Sequence, residues 1–148
     1  MKLNTSGYLL ITEFEGFSAK PYLCPAKIPT IGFGNTYYPD GKRVTLLDKE
    51  ISKVQAFEIF KSVADRFASA VSKLVTSPLN QNQFNALVSI AYNIGTGNFA
   101  SSTLLKKVNK NHNDITIALE FKKWNKVNKK EVPGLTKRRI YEANIYFS

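Results

Sequence analysis

Residues 15–36 read EGFSAKPYLCPAKIPTIGFGNT, and Pro39 and Gly41 follow a few positions on. Prolines at 21, 25 and 29 break any helix through this stretch. Gly32 and Gly34 free the backbone for turns. The β-rich TIGFG between turn signals predicts a small antiparallel hairpin or a three-stranded sheet. On either side the apolar residues return at helical spacing. A small β-element embedded in an otherwise helical chain makes the fold class α+β.

Residues 3–14 read as a first helix, with Leu9, Leu10 and Phe14 able to share one stripe and Gly16 placed to end it. That leaves Glu15 at the helix C-terminus, where the negative dipole end disfavours a carboxylate and tends to raise its pKa. Past the β-rich stretch, Thr45 offers an N-cap with Asp48 three residues on in a capping-box arrangement. Ile51, Val54, Phe57, Phe60, Phe67, Val71 and Leu74 then recur at helical spacing, as one helix or two, until TSPLN interrupts them. Asn80 or Asn82 starts QNQFNALVSIAYNIG, the most apolar helix, stopped at Gly95 and expected at the centre of the main lobe. Residues 97–102 read as a loop, 103–109 as a short helix, and Asn113 or Asp114 as the cap of another running to about residue 124. KVNKKEVPG reads as a basic loop. LTKRRIYEANIYF closes the chain as a helix with Ile140, Tyr141 and Ile145 on its packing side.

A chain of 148 residues, 43% hydrophobic with ten Phe and seven Tyr, folds as one domain or as two small lobes sharing a helix. Its single cysteine, Cys24, excludes an intramolecular disulfide. No stretch approaches the ~20 apolar residues of a membrane span, and MKLNTSGYLLITEFEG lacks the pattern of a signal peptide. The expectation is a soluble protein made inside the cell, with no exit signal or membrane anchor. The net charge of +10 is concentrated in residues 104–148, with eleven Lys and Arg against four acids. Such an excess favours polyanions, whether nucleic acid, anionic lipid or a carboxylate- and phosphate-rich bacterial envelope, and any one lysine serves equally well as a solvated surface group. His112, the only histidine, lies in the polar run NKNHND and gives a metal site or a Ser-His-Asp triad little to build on. The glycines of TIGFG lack the Lys-Ser/Thr pair of a phosphate loop. Neither metal nor cofactor is expected.

The remaining chemistry is spaced as Glu15, eight residues, Cys24, five residues, Thr30. Here the sequence resembles the phage-type lysozymes of glycoside hydrolase family 24, the lambdoid and T-even endolysins. Their signature is a Glu, eight residues, an Asp or Cys, five residues and a Thr. The segments YLLITEFEGF, PYLCPAKIPTIGFGNT, QFNALVSIAYNIGTGNFASSTLLKKVN and VPGLTKRRIYEANIYF look like the family's own and follow in its order, so the resemblance covers nearly the whole chain. It implies a single lysozyme-like catalytic domain over residues 1–148. The β-lobe would span about residues 17–45, and residues 46–148 with the N-terminal helix would form the helical lobe, a cleft lying between them. The implied reaction is hydrolysis of the β-1,4 bond from N-acetylmuramic acid to N-acetylglucosamine in peptidoglycan, with inversion, by a phage or prophage endolysin.

The resemblance also distributes roles. Glu15 would protonate the leaving oxygen, since a carboxylic acid with a raised pKa is the donor open to a site without histidine. Glu13, two residues earlier on the helix, would point elsewhere. Cys24 stands where other family members carry the Asp that handles the attacking water or stabilises the developing cation. A thiol there has three options: to hydrogen-bond a water, to act as a base if its pKa is lowered, or to attack carbon. Thr30, β-branched and therefore restricted in rotamer, would share the water with Cys24. Pro25 and Pro29 would stiffen the turn that brings the two face to face. Matching AYNIGTGNF to the family's central helix puts Tyr92 and Asn93 on the saccharide cleft, with core packing the alternative for Tyr92. Arg138 or Arg139 would supply a cation near Glu15 or another cleft carboxylate. The partners implied are peptidoglycan and, for release, a holin or other membrane-permeabilising protein, with no nucleic acid and a monomeric state expected. The location implied is the host cytoplasm until lysis, then the periplasm and cell wall. Two other classes stay open, a catalytically silent wall-binding module on the same fold and a basic nucleic-acid-binding protein.

Overall fold

The computed structural model describes residues 1–148 throughout and contains seven helices and four short strands, an α+β arrangement. The chain divides into two compact units, residues 11–66 and residues 1–10 with 67–148, and the divisions fall inside helices α1 (Thr5–Glu15) and α2 (Lys53–Leu74).

In the unit of residues 11–66, α1 ends where the sequence says it must. Gly16 follows Glu15 with φ of 68°, the left-handed conformation that closes helices at little cost for glycine. Strands β1 (Ser18–Leu23) and β2 (Pro29–Gly32) then pair antiparallel, with Tyr22 opposite Thr30, Leu23 opposite Pro29, and an irregularity between Ser18 and Tyr22. Single bridges at Ile31–Asn35 and Tyr37–Arg43 extend the β-element. An isolated hairpin is marginal in water. This one is anchored by Ile31 and Phe33, both buried, with the Phe33 ring 5.5 Å from Phe17 and 5.9 Å from Phe60. Each such burial contributes roughly 1.5–3 kcal/mol, more than the ~1 kcal/mol net of a backbone hydrogen bond.

The start of α2 corrects the expected cap. Thr45 and Asp48 do bond, Thr45 N–H and hydroxyl donating to the Asp48 carboxylate at 2.9 and 2.7 Å, but they close a turn ahead of the helix. The helix is capped by Ser52 and Gln55, whose side chains each accept the other's backbone N–H at 3.1 and 2.8 Å. From there one continuous helix of 22 residues runs to Leu74. Its buried face passes through Ala56, Ile59, Phe60, Ala64, Ala68 and Val71, while Val54, expected on the stripe, is 74% exposed.

In the other unit α3 (Gln81–Ile94) is central, with every residue from Gln83 to Ala91 buried. Asn80 is its N-cap in a reciprocal box with Gln83, and Gly95 ends it. The Asn4 side chain accepts from Gly7 N–H and Asn85 Nδ2, tying the first turn of α1 to α3. Helices α4 (Thr96–Ser101), α5 (Thr103–Lys110) and α6 (Ile117–Lys122) follow, so the expected loop at 97–102 is a helical turn instead. The Ser102 hydroxyl caps α5 by accepting from Leu105 N–H at 3.1 Å, which lets two short helices abut. Asp114 caps no helix, but closes the turn before α6 by accepting from Thr116 N–H and hydroxyl at 2.9 and 2.7 Å. The expected basic loop is a hairpin, β3 (Lys126–Val127) against β4 (Lys130–Glu131), turned by Asn128 and Lys129 with φ of 50° and 66°.

The last helix, α7 (Pro133–Tyr146), also corrects the sequence reading. Ile140 and Tyr141 are each 42% exposed, and the buried face carries Arg138, Arg139, Glu142, Ala143 and Tyr146. Charged groups can occupy that face because they pair with one another. Glu142 lies 3.1 Å from Arg138 Nε and 3.0 Å from Arg139 Nη1, and accepts from the Ser89 hydroxyl of α3 at 2.7 Å. No helix is long and apolar enough to cross a membrane.

Candidate active site

Glu15, Cys24 and Thr30 all fall in the unit of residues 11–66, on three consecutive pieces of chain. Glu15 is the last residue of α1 and half-buried, whereas Glu13, two residues back, is exposed. Gly34, in the loop after β2, comes so close that a Cβ there would sit 3.2 Å from Glu15 Oε2.

Cys24 opens the turn between β1 and β2. Lys27 N–H donates to the Cys24 carbonyl at 2.8 Å and Cys24 N–H donates to the Ile28 carbonyl at 3.1 Å, which closes a three-residue loop of Pro25, Ala26 and Lys27. Proline suits the second position of such a turn, and Lys27 takes the left-handed place with φ of 60°. The first position favours residues whose side chain accepts from the backbone just ahead, commonly Asp, Asn or Ser. A sulfur performs that task here. The Ile28 N–H, above all, holds the Cys24 thiol below its ordinary pKa; partial burial opposes it, and the Ala26 N–H and Thr30 hydroxyl add to it.

Thr30 is 2% exposed and faces this turn from β2. Its hydroxyl donates to the Ile28 carbonyl at 2.8 Å. A hydroxyl has one proton, so it cannot donate to Ile28 and to the sulfur at once. With the thiol neutral, the proton stays on Ile28 and the Thr30 oxygen is free to accept. With the thiolate formed, rotation about one bond brings the proton to sulfur.

Tyr22 is a member of this grouping that the sequence reading did not single out. It pairs with Thr30 across the hairpin and is 38% exposed. Partial burial pushes its phenol above the ordinary range, and the charges of Cys24 and Glu15 push it the same way, so both groups act on one ring. The signal was present, since Tyr22 and Cys24 are two apart on an extended segment and strand side chains alternate with period two. Gly34 was read as a glycine of a turn or of strand packing.

The other predicted residues lie in the second unit. Tyr92, half-buried, packs its ring 5.2 Å from Phe67. Asn93 is exposed, and its side-chain oxygen accepts from Arg139 Nη2. That leaves its amide N–H groups as donors for a ligand. Arg138 and Arg139 are buried, both beside Glu142, and Arg138 also donates to the Ser89 carbonyl at 3.4 Å. His112 contributes its backbone carbonyl to the Tyr146 hydroxyl at 2.8 Å.

This fold, with a carboxylate at a helix end beside a hairpin that holds a thiol and a hydroxyl, defines a class: residues 12–142 match the phage lysozyme family, and the chain belongs to it. It is 35% identical over 150 residues to the endolysin of Bacillus phage PZA, an alignment that takes in all of this chain and 56% of the relative. The chain thus spans about half the length of that protein. Among solved structures, the endolysin from Escherichia coli O157:H7 phage FAHEc1 is 38% identical with a TM-score of 0.91, covering 100% of this chain and 94% of that one. The muramidase domain of SpmX from Asticaccaulis excentricus is 28% identical with a TM-score of 0.85, covering 99% and 98%.

Proposed function

We propose that this protein is a peptidoglycan hydrolase, an N-acetylmuramidase that serves a phage or prophage as an endolysin. Membership of the phage lysozyme family and likeness to endolysins and a muramidase domain support the class of reaction. The observation that carries the mechanism is the shared neighbourhood of Glu15, Cys24 and Thr30 around Tyr22.

In this reading Glu15 gives its proton to the glycosidic oxygen as the bond to the muramic acid C1 breaks and the sugar becomes oxocarbenium-like. A water held by Cys24 and Thr30 bonds to C1 from the opposite face while its proton passes to sulfur. Glu15 is left as carboxylate and Cys24 as thiol, and exchange with solvent restores both. The lowered pKa of Cys24 suits it to receive that proton, because a base must first be available deprotonated. Attack from the opposite face inverts the anomeric centre. Asn93 and Tyr92 would contact saccharide, and the arginines at 138 and 139 would fix Asn93 and its surroundings.

The exposed lysines at 126, 129 and 130 on the β3–β4 hairpin would prolong contact with an anionic wall. Release to the wall would depend on a holin or equivalent membrane-permeabilising partner. The direct test is clearing of a peptidoglycan suspension. Wild-type protein should clear it, and Glu15→Gln should bind the wall without clearing. Full clearing by Glu15→Gln would remove the assignment.

A further inference from the structure

Taking Glu15 as the proton donor, as in the reading above, we propose that Gly34 is its positioning residue, and that the absence of a side chain at 34 fixes where the carboxyl sits. Gly34 belongs to a loop of three residues, Gly32 to Gly34, closed by Ile31 and Asn35. Ile31 N–H donates to the Asn35 carbonyl at 2.9 Å and Asn35 N–H donates back at 3.0 Å. Both closing residues are buried, and so is Phe33 inside the loop, its ring between Phe17 and Phe60. The loop is therefore pinned by its two closing hydrogen bonds and by the buried Phe33 ring.

A Cβ at position 34 would meet only one atom within 4 Å, Glu15 Oε2 at 3.2 Å. That distance is tighter than ordinary van der Waals contact, so one party must give. The carboxyl is the end of a three-torsion side chain and the loop is pinned; the carboxyl is what moves. The steric cost to stability is small, but the displaced group is the one that must come within hydrogen-bond reach of the leaving oxygen. The carboxyl must give by a few tenths of an ångström, a fraction of the ~1 Å misplacement of a reacting group that costs up to ~10²-fold in rate.

Gly34 also has φ of 80°, which strains any L side chain, and Gly41 supplies the control. Gly41 lies in the same unit with φ of 87°, and a Cβ there would meet nothing within 4 Å. Gly34→Ala and Gly41→Ala thus carry the same backbone strain and differ in what the new methyl group touches. The experiment measures thermal unfolding, kcat and KM on soluble peptidoglycan oligosaccharides for both variants. Gly34→Asn is added because asparagine tolerates positive φ while still bearing a Cβ. Similar losses of Tm are expected for the two alanine variants. Gly41→Ala should keep kcat within about twofold, and Gly34→Ala and Gly34→Asn should lose roughly five- to tenfold in kcat with KM nearly unchanged. Glu15→Asp, which withdraws the carboxyl by one methylene, should cost less in the Gly34→Ala background than in wild type. Equal kcat for Gly34→Ala, Gly34→Asn and Gly41→Ala, with Glu15→Gln inactive, overturns the role of Gly34 and leaves the muramidase reading standing. Full activity of Glu15→Gln overturns both.

Discussion

Two glutamates that end up in different surroundings teach what a carboxylate in this chain is for. Glu142 is fully buried, between two guanidiniums and a hydroxyl; burial pushes its pKa up, against the pull of Arg139, Arg138 and Ser89. Its Oε1 accepts from Arg138 and from Ser89 of α3, its Oε2 lies 3.0 Å from Arg139 Nη1 as an ion pair, and the group holds α7 to α3. Glu15 is half-buried at a helix end, and the loop glycine Gly34 comes close to its Oε2. The first arrangement commits a charge to the fold. The second keeps a carboxyl partly open to solvent.

That contrast breaks if the two glutamates behave alike on substitution. Glu15→Gln should lower turnover by a factor of about 10²–10⁴, the usual contribution of a general acid, while Tm shifts little. Paired activity and thermal-unfolding measurements on one preparation check it. Glu142→Gln should do the reverse and cost roughly 3–5 kcal/mol, because two buried arginines lose their counter-charge, with activity per folded molecule kept. Urea titration beside active-site-normalised rates would show it. A Glu142 variant of normal stability would mean that the cluster is not structural.

The thiol sharpens the same comparison. Cys24→Ala should reduce activity by about an order of magnitude or more, and Cys24→Asp should retain it, since the turn position it occupies favours a carboxylate. Alkylation should track thiolate and so begin at lower pH than for an ordinary cysteine, as the depressed pKa requires. The sign for stability follows. A lowered folded pKa contributes stability above the unfolded value, lost as pH falls through the folded one. An alkylation profile like that of free cysteine, measured by mass spectrometry, would contradict the hydrogen bonding to sulfur.

The smallest effect lies at Tyr38, whose hydroxyl donates to Asp48 at 2.6 Å and whose pKa is pushed up to about 12, first by burial and then by that carboxylate. Because the folded value is raised, the contribution is present below about pH 10, the ordinary tyrosine range, and fades as pH rises through about 12. Tyr38→Phe should therefore flatten the alkaline limb of the stability curve and leave neutral-pH activity alone.

Much of the fold was legible because local signals agreed. Gly16 after an apolar stripe ended α1, and Asn80, one of the two asparagines the sequence offered, started α3. The misreadings came where two signals competed or where tertiary pairing overrode polarity. Thr45 with Asp48 has the form of a cap but closes a turn, and Ser52 with Gln55, which the sequence reading passed over, caps α2. The β3–β4 hairpin turns on Asn128 and Lys129, and lysine in a left-handed position hides the usual Asn-Gly mark. The buried face of α7 was misplaced because Arg138, Arg139 and Glu142 become suitable for an interior only once they meet. At the site, Glu15, Cys24 and Thr30 stood out because their spacing matches the signature of the family the sequence resembles. Tyr22 and Gly34 did not, since a tyrosine in a strand and a glycine in a loop say nothing until register and close approach are known.

The central claim is that Glu15 donates the proton while a water held by Cys24 and Thr30 attacks in one displacement. The anomeric proton signals of the newly formed N-acetylmuramic acid reducing end, followed by NMR in the first minutes of digestion, test it most directly. The α-anomer appearing first and then mutarotating is the predicted result. An initial β-anomer, or reducing ends on N-acetylglucosamine, would contradict it.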